Sequence, residues 1–429
     1  MRENITLQIG KCGIQFGHEF WKQIASEHSI GPKGEKISPN FIEKKENINS
    51  FFKETSCNIY NPRAILFDLE PREIHNLRSG TYSEFYQKED MFFRKEGSGN
   101  IWSNGYIRTL EINRKFEEKF RKISEKCDNI GSFNIFHSIT GGTGSGSTCI
   151  VLEIIKEHFP EKIVNCYSLI PNQTEQSDIV VQPYNSVLSL RWLYYYADCV
   201  TLFENDSLSK IIQHKNNAIN INYNNLNSIA AKIVSSLTYP LRFSGYTETN
   251  FENFISSLIP LSDLHFLFGA ISNYPTLGER RYNDIAFPEG IYNLLRNRTI
   301  NSSWNSGKLI SSMYFLKRNK INTEFPKILK KIYKNLGIEY INWGPSFTQE
   351  LNTVFGGKFD RFPDADVGLF NHTGINGIFV KMKDQFEILK KRNAFVNNFL
   401  KEFSQRDGQE IFEESKEIIE KIISAYDEI

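Results

Sequence analysis

The residues of this sequence best suited to chemistry are the glycines of HSITGGTGSGS, residues 137–147. Gly141, Gly142, Gly144 and Gly146 follow an apolar run that predicts a strand and precede a run, STCIVLEIIKEHF, that predicts a helix. Because glycine has no side chain and tolerates positive φ, such a turn can direct several backbone N–H groups at one anion, and the helix dipole adds to the attraction. The stretch predicts a phosphate site, with a flexible loop as the alternative.

The spacing of these glycines differs from both common phosphate loops. It is G-G-x-G-x-G, without the lysine that ends the G-x-x-x-x-G-K-[ST] pattern and without the G-x-G-x-x-G spacing of dinucleotide folds. No acidic residue is convincingly placed about 20 positions further on, where a dinucleotide site needs one. A nucleotide-dependent oxidoreductase is therefore a weakly supported rival, since neither its fingerprint nor a catalytic residue is visible.

A second turn between a strand and a helix lies near the start of the chain. The alternating run ITLQI predicts a short strand, and GKCGIQFG then leads into a helix. Lys11, Cys12 and Gln15 lie in this turn, where they can face the same ligand as the central glycines. Packing in the core is the alternative for Cys12.

Two carboxylates end the next apolar run, RAILFDLEP. Asp68 and Glu70 directly precede Pro71, which predicts the beginning of a helix. Two carboxylates at a strand end beside a phosphate site suit a magnesium ion held through water molecules, and capping of the helix by one of them is the alternative. A third glycine-rich turn, EGSGNIWSNGY, follows at residues 96–106.

An aromatic side chain and an amide begin a later helix, YNNLNSIAAKIVSSL. Tyr223 and Asn227 are four positions apart, so they share one face of its first turn. An aromatic ring and an amide in this arrangement can stack on a base and form hydrogen bonds with it. An ordinary helix start is the alternative that the pattern leaves open.

The composition argues against several classes of protein. The 429 residues include 51 basic and 50 acidic side chains, a net charge of +1, which gives no long-range attraction for nucleic acid or an anionic membrane. No apolar run approaches about 20 residues, and the N-terminus lacks a signal-peptide segment, so the cytoplasm is the expected location. Six cysteines without C-x-x-C pairs favour buried thiols over a zinc site.

Strands alternate with helices through the first half of the chain, which predicts an α/β fold with a parallel, Rossmann-like sheet over residues 1–205. Ligands of such sheets bind beyond the carboxyl ends of the strands, where every turn described above lies. Residues 206–370 predict a core helix and an α+β intermediate domain, and residues 371–429 predict an antiparallel hairpin of two helices. We also expect one helix over residues 110–127, and surface loops and short pieces over residues 32–60.

Together these segments resemble the tubulin family over essentially the whole chain, and its gamma branch most closely. The blocks that carry the resemblance are LQIGKCGIQFGHEFWKQIASEH, PRAILFDLEPREIH, GSGNIWSNGY, HSITGGTGSGS, SDIVVQPYNSVLSL, SLIPLSDLHFLFGA and NWGPSF, in this order. The gamma assignment depends on PRAILFDLEPREIH, on SLIP and on the glutamine of VVQPYN, Gln182.

The resemblance implies that the first domain binds GTP or GDP with Mg²⁺. Asp68 and Glu70 would stand near the magnesium ion, and Asp178 and Asn205 match contacts to the ribose and the base. Tyr223 and Asn227 match the stacking aromatic and the base-reading amide. The other implied ligand residues are Lys11, Cys12, Gln15, Asn100, Ser138, Gly141, Gly142, Thr143, Gly144 and Gly146.

The resemblance also implies a function in microtubule nucleation. The nucleotide face would accept the alpha subunit of an incoming alpha/beta-tubulin dimer, and the opposite face would dock on gamma-tubulin complex scaffold proteins that arrange laterally associated copies in a ring. Its place would be the cytoskeleton, at minus ends in a microtubule-organising centre such as a centrosome or spindle pole body, and in the spindle. Another tubulin branch that polymerises as a filament subunit is the alternative.

Several positions depart from the family pattern. Lys11 stands where the family usually has glutamine, and Glu248, Thr249 and Asn250 replace residues of a loop that faces a neighbouring subunit. Asn253 occupies the position at which alpha-tubulins carry a glutamate that activates water on the adjoining subunit's GTP. Because a carboxamide cannot act as a general base, this chain should not trigger hydrolysis in a neighbour through Asn253. The resemblance implies that its own GTPase activity is at most weak and is completed by the glutamate of an adjoining alpha-tubulin.

Overall fold

The sequence divides into helices and strands that gather on one large sheet. The computed structural model describes residues 2–37, 46–56, 58–170, 179–216, 222–243, 250–272, 287–317, 324–343, 348–353, 365–401, 403 and 405–429. In chain order the elements are β1 (Glu3–Ile9), α1 (Gly10–Glu27), β2 (Phe52–Ser56), β3 (Ile59–Pro62), β4 (Ala64–Asp68), α2 (Arg72–Ser79), β5 (Met91–Phe93), α3 (Trp102–Leu110), α4 (Asn113–Ser124), β6 (Ile130–Ser138), α5 (Thr148–His158), β7 (Ile163–Ile170), α6 (Gln182–Tyr196), β8 (Cys199–Glu204), α7 (Asn205–Asn216), α8 (Tyr223–Arg242), α9 (Phe251–Leu258), β9 (Phe266–Ile271), α10 (Phe287–Arg296), β10 (Lys308–Lys317), α11 (Phe325–Leu336), β11 (Glu339–Tyr340), β12 (Thr348–Thr353), β13 (Val367–His372), α12 (Asn376–Lys391), α13 (Val396–Leu400) and α14 (Gln405–Asp427).

The sheet is mostly parallel, as the sequence predicts. Among the described residues its strand order is β11-β10-β13-β9-β8-β7-β6-β1-β4-β5, with β12 paired to β10. The strands from β9 to β5 run parallel, and β13 is antiparallel to both of its neighbours. Because β9 pairs with β8, the same sheet continues from the predicted first domain into the predicted second one. The division of the chain at residue 205 stays a prediction.

Helices cover both faces of the sheet, and alternating strand residues divide between two apolar clusters. Ile65 and Phe67 of β4 belong to the cluster that includes α5, α6 and α14, whereas Leu66 belongs to the cluster of α1 and α8. In the second cluster the ring of Phe16 lies 5.0 Å from that of Phe136. Burial on both faces explains why β4 is continuously apolar from Ala64 to Phe67.

The two C-terminal helices form the predicted antiparallel pair. Lys383 pairs with Glu420 at 2.9 Å, and Lys390 pairs with Glu413 at 2.6 Å, so residue numbers rise along α12 as they fall along α14. These pairs are partly exposed and each contributes at most about 1 kcal/mol. Burial of apolar side chains such as Phe386 therefore holds the hairpin together.

The structure refines two sequence predictions about local structure. The helix predicted over residues 110–127 is present with shorter bounds, Asn113–Ser124, because α3 ends at Leu110 and the chain turns before α4 begins; Phe116 of α4 lies 5.4 Å from Phe67 on the sheet. The surface loops and short pieces predicted over residues 32–60 include β2, which forms a hairpin with β3, and the fully buried side chains of Phe51 and Phe52. Within the described residues, none of the helices has both the length and the apolar character that crossing a membrane requires.

Candidate functional site

Four turns of the chain meet at one edge of the sheet. They follow β1, β4, β5 and β6, which are neighbours in the order β6-β1-β4-β5 and run parallel. Their carboxyl ends therefore lie side by side, at the edge where parallel sheets bind ligands. The structure brings together the turns that the sequence predicts to share a ligand.

The turn after β1 touches the turn after β6 directly. Gly10 has φ +71° and begins α1, and a Cβ atom there would lie 2.9 Å from the backbone nitrogen of Gly144 and 3.4 Å from Cβ of Thr143. Only glycine meets both the positive φ and this close approach. As a result, the N-termini of two helices lie in van der Waals contact at the candidate site.

The central glycines are wound into the helix itself, which corrects the prediction of a loop followed by a helix. Winding begins at Gly142, and Thr143–Ser147 form a π-helical turn that continues into α5. Gly146 packs against α3, where an added Cβ would lie 2.6 Å from the backbone nitrogen of Tyr106. Gly141 has open space beside it, with no atom within 4 Å of an added Cβ.

Backbone N–H groups remain available at this turn. The first hydrogen bond of the winding runs from the N–H of Ser145 to the carbonyl of Gly141, at 3.0 Å. Among the described residues, Gly142, Thr143 and Gly144 donate no backbone hydrogen bond to the preceding strand. Unpaired N–H groups at the positive end of a helix dipole form an anion site.

The turn after β5 is strained and packs on the central glycines. Gly99 and Asn100 have φ values of +59° and +58°, so two successive residues adopt the left-handed conformation. The hydroxyl of Ser98 lies 3.1 Å from that of Thr143, and an added Cβ at Gly142 would lie 2.5 Å from the Ser98 oxygen. The predicted ligand residue Asn100 is therefore exposed at the same edge as the glycines.

Asn185 of α6 joins these turns through hydrogen bonds, and its local sequence predicts no such role. Its amide nitrogen donates to the carbonyls of Asn100 at 2.8 Å and Thr140 at 2.7 Å, and its oxygen accepts the N–H of Trp102 at 2.9 Å. The side chain is fully buried, with all of its bonds directed at the backbone. The sequence signal for this role of Asn185 was its amide side chain, which stands within the largely apolar stretch of a buried helix.

Three carboxylates gather at the turn after β4. Burial raises the pKa of Asp68 to about 7. The negative charges of Glu70 and Glu73 also raise this pKa, whereas the hydrogen bond that the backbone N–H of Glu70 donates to Asp68 lowers it. Glu70 is exposed and lies against Gly97 of the next turn. The described residues contain no group of three or more His, Cys, Asp or Glu side chains arranged to hold a metal ion. Asp68 and Glu70 nevertheless fit Mg²⁺, which binds through one or two carboxylates together with water and phosphate.

The predicted ligand residues of α1 lie on its first turns. Lys11 is exposed, while burial raises the pKa of the partly buried Cys12 to about 12 against the lowering effect of Lys11. Cys12 is therefore a neutral thiol, which does not repel an anion. The amide nitrogen of Gln15 donates to a carboxylate oxygen of Glu73 at 3.1 Å, a residue that the sequence reading overlooked.

The residues predicted to contact ribose and base lie at two other helix starts. Asn205 was predicted to end a strand, but it is the first residue of α7, directly after β8. Strand β8 is two strands away from β6, which corresponds to about 10 Å along the edge of the sheet. Tyr223 begins α8 and is 72 % exposed, and Asn227 one turn later is 5 % exposed. Asp178 lies outside the described residues.

The C-terminal ends of α1 and α8 lie together, because His28, directly after α1, stacks on Phe243, directly after α8. Both helices pack in one apolar cluster, so we infer that they run in the same general direction. Their far ends are joined, since Ser235 of α8 donates to Glu27 of α1 at 2.5 Å. Tyr223 lies 12 residues before Ser235, or about 18 Å along α8, and Gln15 lies 12 residues before Glu27, or about 18 Å along α1. Tyr223 and Gln15 therefore lie at similar distances from the joined ends of the two helices. The aromatic ring and the first turns of α1 thus share the same end of the helix pair.

His137 was not predicted to have a function, and in the structure its side chain supports the central turn. Its Nδ1 lies 3.0 Å from the carbonyl oxygen of Gly144, and its Nε2 lies 2.8 Å from the hydroxyl of Ser168 on β7. Burial lowers the pKa of His137 to about 4, against the opposing effect of its backbone hydrogen bonds. The ring is therefore neutral at physiological pH.

The pKa of His137 predicts a dependence of stability on pH. The unfolded chain takes up a proton near pH 6.5 and the folded chain only near pH 4, so the free energy of unfolding falls as the pH falls through this window. Between pH 6.5 and pH 5 this one group costs about 2 kcal/mol. We expect His137→Asn to lose less thermal stability than the parent protein between pH 7 and pH 5.

The comparison with the parent isolates this effect from other buried groups. His28 and His372 have lowered pKa values and add to the trend, whereas Asp68 and Asp90 have raised pKa values and oppose it. These groups are the same in both proteins. Equal losses of melting temperature in parent and variant would contradict the prediction.

Apart from Lys11, the departures from the family pattern are Asn253 of α9 and the three residues that precede this helix in sequence. Asn250 precedes the helix, and Glu248 and Thr249 lie outside the described residues. Asn253 is exposed, and its carbonyl accepts the hydroxyl of Ser257 at 2.7 Å.

Residues 3–213 match the family model described as Tubulin/FtsZ family, GTPase domain. This range runs from β1 to α7, and it contains the four converging turns and Asn205 but ends before Tyr223 and Asn227. The order of strands, the glycine turn and the α/β architecture agree with this match and with the tubulin-like fold that the sequence predicts. Over residues 3–213 the chain is therefore similar to the GTPase domain of the Tubulin/FtsZ family.

Proposed function

We propose that this protein is a guanine-nucleotide-binding tubulin of the gamma type that nucleates microtubules. The observation that carries the proposal is the contact between Gly10 and the Thr143–Gly144 backbone, which sets two helix N-termini side by side at the edge of the sheet. Two helix N-termini with unpaired N–H groups suit the phosphates of one nucleotide. The Tubulin/FtsZ match covers the same turns.

Each part of the nucleotide has a group of residues suited to it. The N–H groups of Gly142 to Gly144 and the ammonium of Lys11 would bind the phosphates, and Asp68 and Glu70 would hold Mg²⁺, which supplies positive charge between the phosphate oxygens. The residues that would contact ribose and base are Asp178, Asn205, Tyr223 and Asn227. Tyr223 is exposed enough to offer a ring face for stacking.

Nucleation follows from placing this site between two molecules. The nucleotide edge would accept the alpha subunit of an alpha/beta-tubulin dimer, and the surface of α9 with Asn253 would dock on gamma-tubulin complex scaffold proteins. A scaffold that holds copies side by side raises their effective concentration, which lowers the entropic cost of the first lateral contacts. The expected location is the minus end of microtubules at an organising centre.

The isolated chain should hydrolyse GTP slowly. The resemblance assigns the water-activating glutamate to an adjoining alpha-tubulin, so the pure monomer lacks this general base. Asn253, the matching position of this chain, is exposed, and its carboxamide cannot act as a base on a neighbour's nucleotide. We expect single-turnover hydrolysis by the pure monomer far below about 1 per second, the scale of an ordinary enzyme. A rate at that scale, measured with radiolabelled GTP, would refute the assignment of hydrolysis to an adjoining subunit.

One experiment tests the proposed ligand directly. The purified protein is denatured and the released nucleotide is separated by chromatography and quantified against protein. Guanine nucleotide at close to one per chain is the expected result. Adenine nucleotide, or none after the protein has been incubated with GTP and Mg²⁺, would overturn the proposal.

Asn227→Ala should weaken nucleotide binding without unfolding the protein. The amide is almost fully buried at the start of α8, and loss of its hydrogen bonds to a base costs about 1 to 3 kcal/mol, or about tenfold to a hundredfold in affinity. Release of a fluorescent GDP analogue measures the change. Asn224→Ala, at an exposed position of the same helix turn, serves as the control, and unchanged release from Asn227→Ala would place the base elsewhere.

The family match equally supports a second function, that of a tubulin that polymerises as a filament subunit. The two functions differ in where the protein lies on a microtubule. Labelled protein confined to minus ends and organising centres supports nucleation. Incorporation along the microtubule wall during co-assembly with alpha/beta-tubulin would support the filament subunit.

A further inference from the structure

Helices α1 and α8 are connected at the end that lies far from the candidate site. Arg242 Nη2 lies 2.5 Å from Glu27 Oε2, and both side chains are fully buried. Ser235 donates its hydroxyl to the other oxygen of Glu27 at 2.5 Å, and Arg242 donates to the carbonyl of Ser235 at 2.9 Å. A buried ion pair therefore crosses the contact between the two helices.

Aromatic side chains hold the arginine in place. Its guanidinium lies 5.7 Å from the ring centre of Tyr239 and 5.4 Å from that of Phe243, distances typical of cation–π contacts. His28 stacks on Phe243 with ring centres 4.6 Å apart, and its Nε2 lies 3.3 Å from Arg242 Nη1. The position of Arg242 is thus fixed from α1 and from α8 together.

Stability is a poor explanation for this pair. Removing two charges from water costs several kcal/mol each, and apolar side chains of similar volume usually give an equal or greater stability. Buried charges are better suited to selecting one arrangement among several that pack equally well. Both helices also contribute side chains to one apolar cluster, in which α8 supplies the small residues Ala230 and Ala231.

Axial sliding would alter the candidate site directly. Asn227 lies about 22 Å before Arg242 along α8, and Lys11 lies about 24 Å before Glu27 along α1. Pro240 interrupts α8 just before Arg242, but the stretch from Asn227 to Ser235 contains no proline, so a shift of Ser235 against Glu27 moves Asn227 by the same amount. Shifts of about 1 to 2 Å are typical of helix movements in proteins that switch between states.

We propose that Glu27 and Arg242 are positioning residues that fix the axial register of α8 against α1 and thereby the distance between the base-contacting and phosphate-contacting ends of the nucleotide site. The inference depends on the proposed function, because it concerns the same ligand. Neither residue touches the ligand, so the effect passes through the two helices. Nucleotide release, rather than folding, is the property that the pair controls.

The test replaces both charges together, because a single substitution leaves one buried charge unpaired and destabilises the fold. Glu27→Met with Arg242→Met keeps the volume and removes the charges. We expect the nucleotide-free double variant to melt within a few degrees of the parent, while its release of a fluorescent GDP analogue accelerates at least tenfold. The control is Lys390→Met with Glu413→Met, which removes a pair between α12 and α14 and should leave release unchanged.

A second variant covers failure of the double variant to fold. Glu27→Asp keeps the charge and shortens the side chain by one methylene. The ion pair with Arg242 can then form only if α8 moves along α1. We expect the release of the GDP analogue to accelerate by about threefold or more, less than in the double variant. Parent-like release from folded Glu27→Asp or from the folded double variant would show that apolar packing sets the register, and would overturn the inference. Absence of guanine nucleotide from the parent protein would instead overturn the proposed function.

Discussion

Gly146→Ala should destabilise the first half of the chain by about 3 kcal/mol, the upper end of the cost of overpacking a core. The added methyl group would overlap the carbonyl oxygen of Trp102 and lie 2.6 Å from the backbone nitrogen of Tyr106. Both obstacles belong to the backbone of α3, which cannot turn aside as a flexible side chain can. Gly105 faces the contact from the other side, where an added Cβ would lie 2.9 Å from the carbonyl carbon of Gly142.

Gly141→Ala is the matched control for this prediction. It lies in the same turn, its φ is not positive, and no atom lies within 4 Å of the added carbon. The melting temperature of Gly141→Ala should therefore stay within about one degree of the parent, while that of Gly146→Ala falls by about 6 to 12 °C if about 3 kcal/mol is lost. Similar melting temperatures for the two variants would show that α3 can move away.

Lys11→Gln should weaken GTP binding by about tenfold to a hundredfold, since a hydrogen bond to a charged group contributes about 1.5 to 3 kcal/mol. Lys11 is exposed on the first turn of α1, directly after the glycine that touches Gly144. Its ammonium would add a full positive charge to the partial charges of two helix N-termini. The substitution restores the residue that the tubulin family usually has, so the fold should not change.

The divalent cation provides a second readout for Lys11. If the ammonium of Lys11 neutralises part of the phosphate charge, the parent should retain more GTP than Lys11→Gln after EDTA has removed Mg²⁺. With Mg²⁺ present, the retention of GTP by the two proteins should differ less. Lys115→Gln is the control, because it removes an exposed lysine from the first turns of α4. Equal retention by parent and Lys11→Gln in EDTA would exclude a phosphate contact by this lysine.

The meeting of four turns was predictable from the sequence because it follows from a general rule. Once β1, β4 and β6 are recognised as parallel strands, their carboxyl ends must share an edge, and the residues after each strand are brought together. Hydrophobic patterns identify such strands well. The positions of Lys11, Asp68 and Gly141 at one edge required nothing further.

The residues that the sequence could not assign act through contacts between distant segments. Asn185 bonds to the backbone of Asn100, 85 positions away, and His28 contacts Arg242, 214 positions away. The local spacing of residues does not indicate contacts between such distant positions. From the sequence alone, a polar residue that is buried in a helix cannot be distinguished from one that is exposed. The π-helical turn at Thr143–Ser147 was missed for a related reason, since its packing on α3 determines the winding.

The wall of main chain around Gly10, Gly142 and Gly144 restricts how this site can diverge. A side chain added at any of these three glycines would approach other atoms of the protein to 2.9 Å or less. Under the proposed function, selectivity for one polyphosphate over another would therefore be adjusted at exposed positions such as Lys11 and Tyr223. Directed evolution of ligand preference in this protein should begin at those exposed positions.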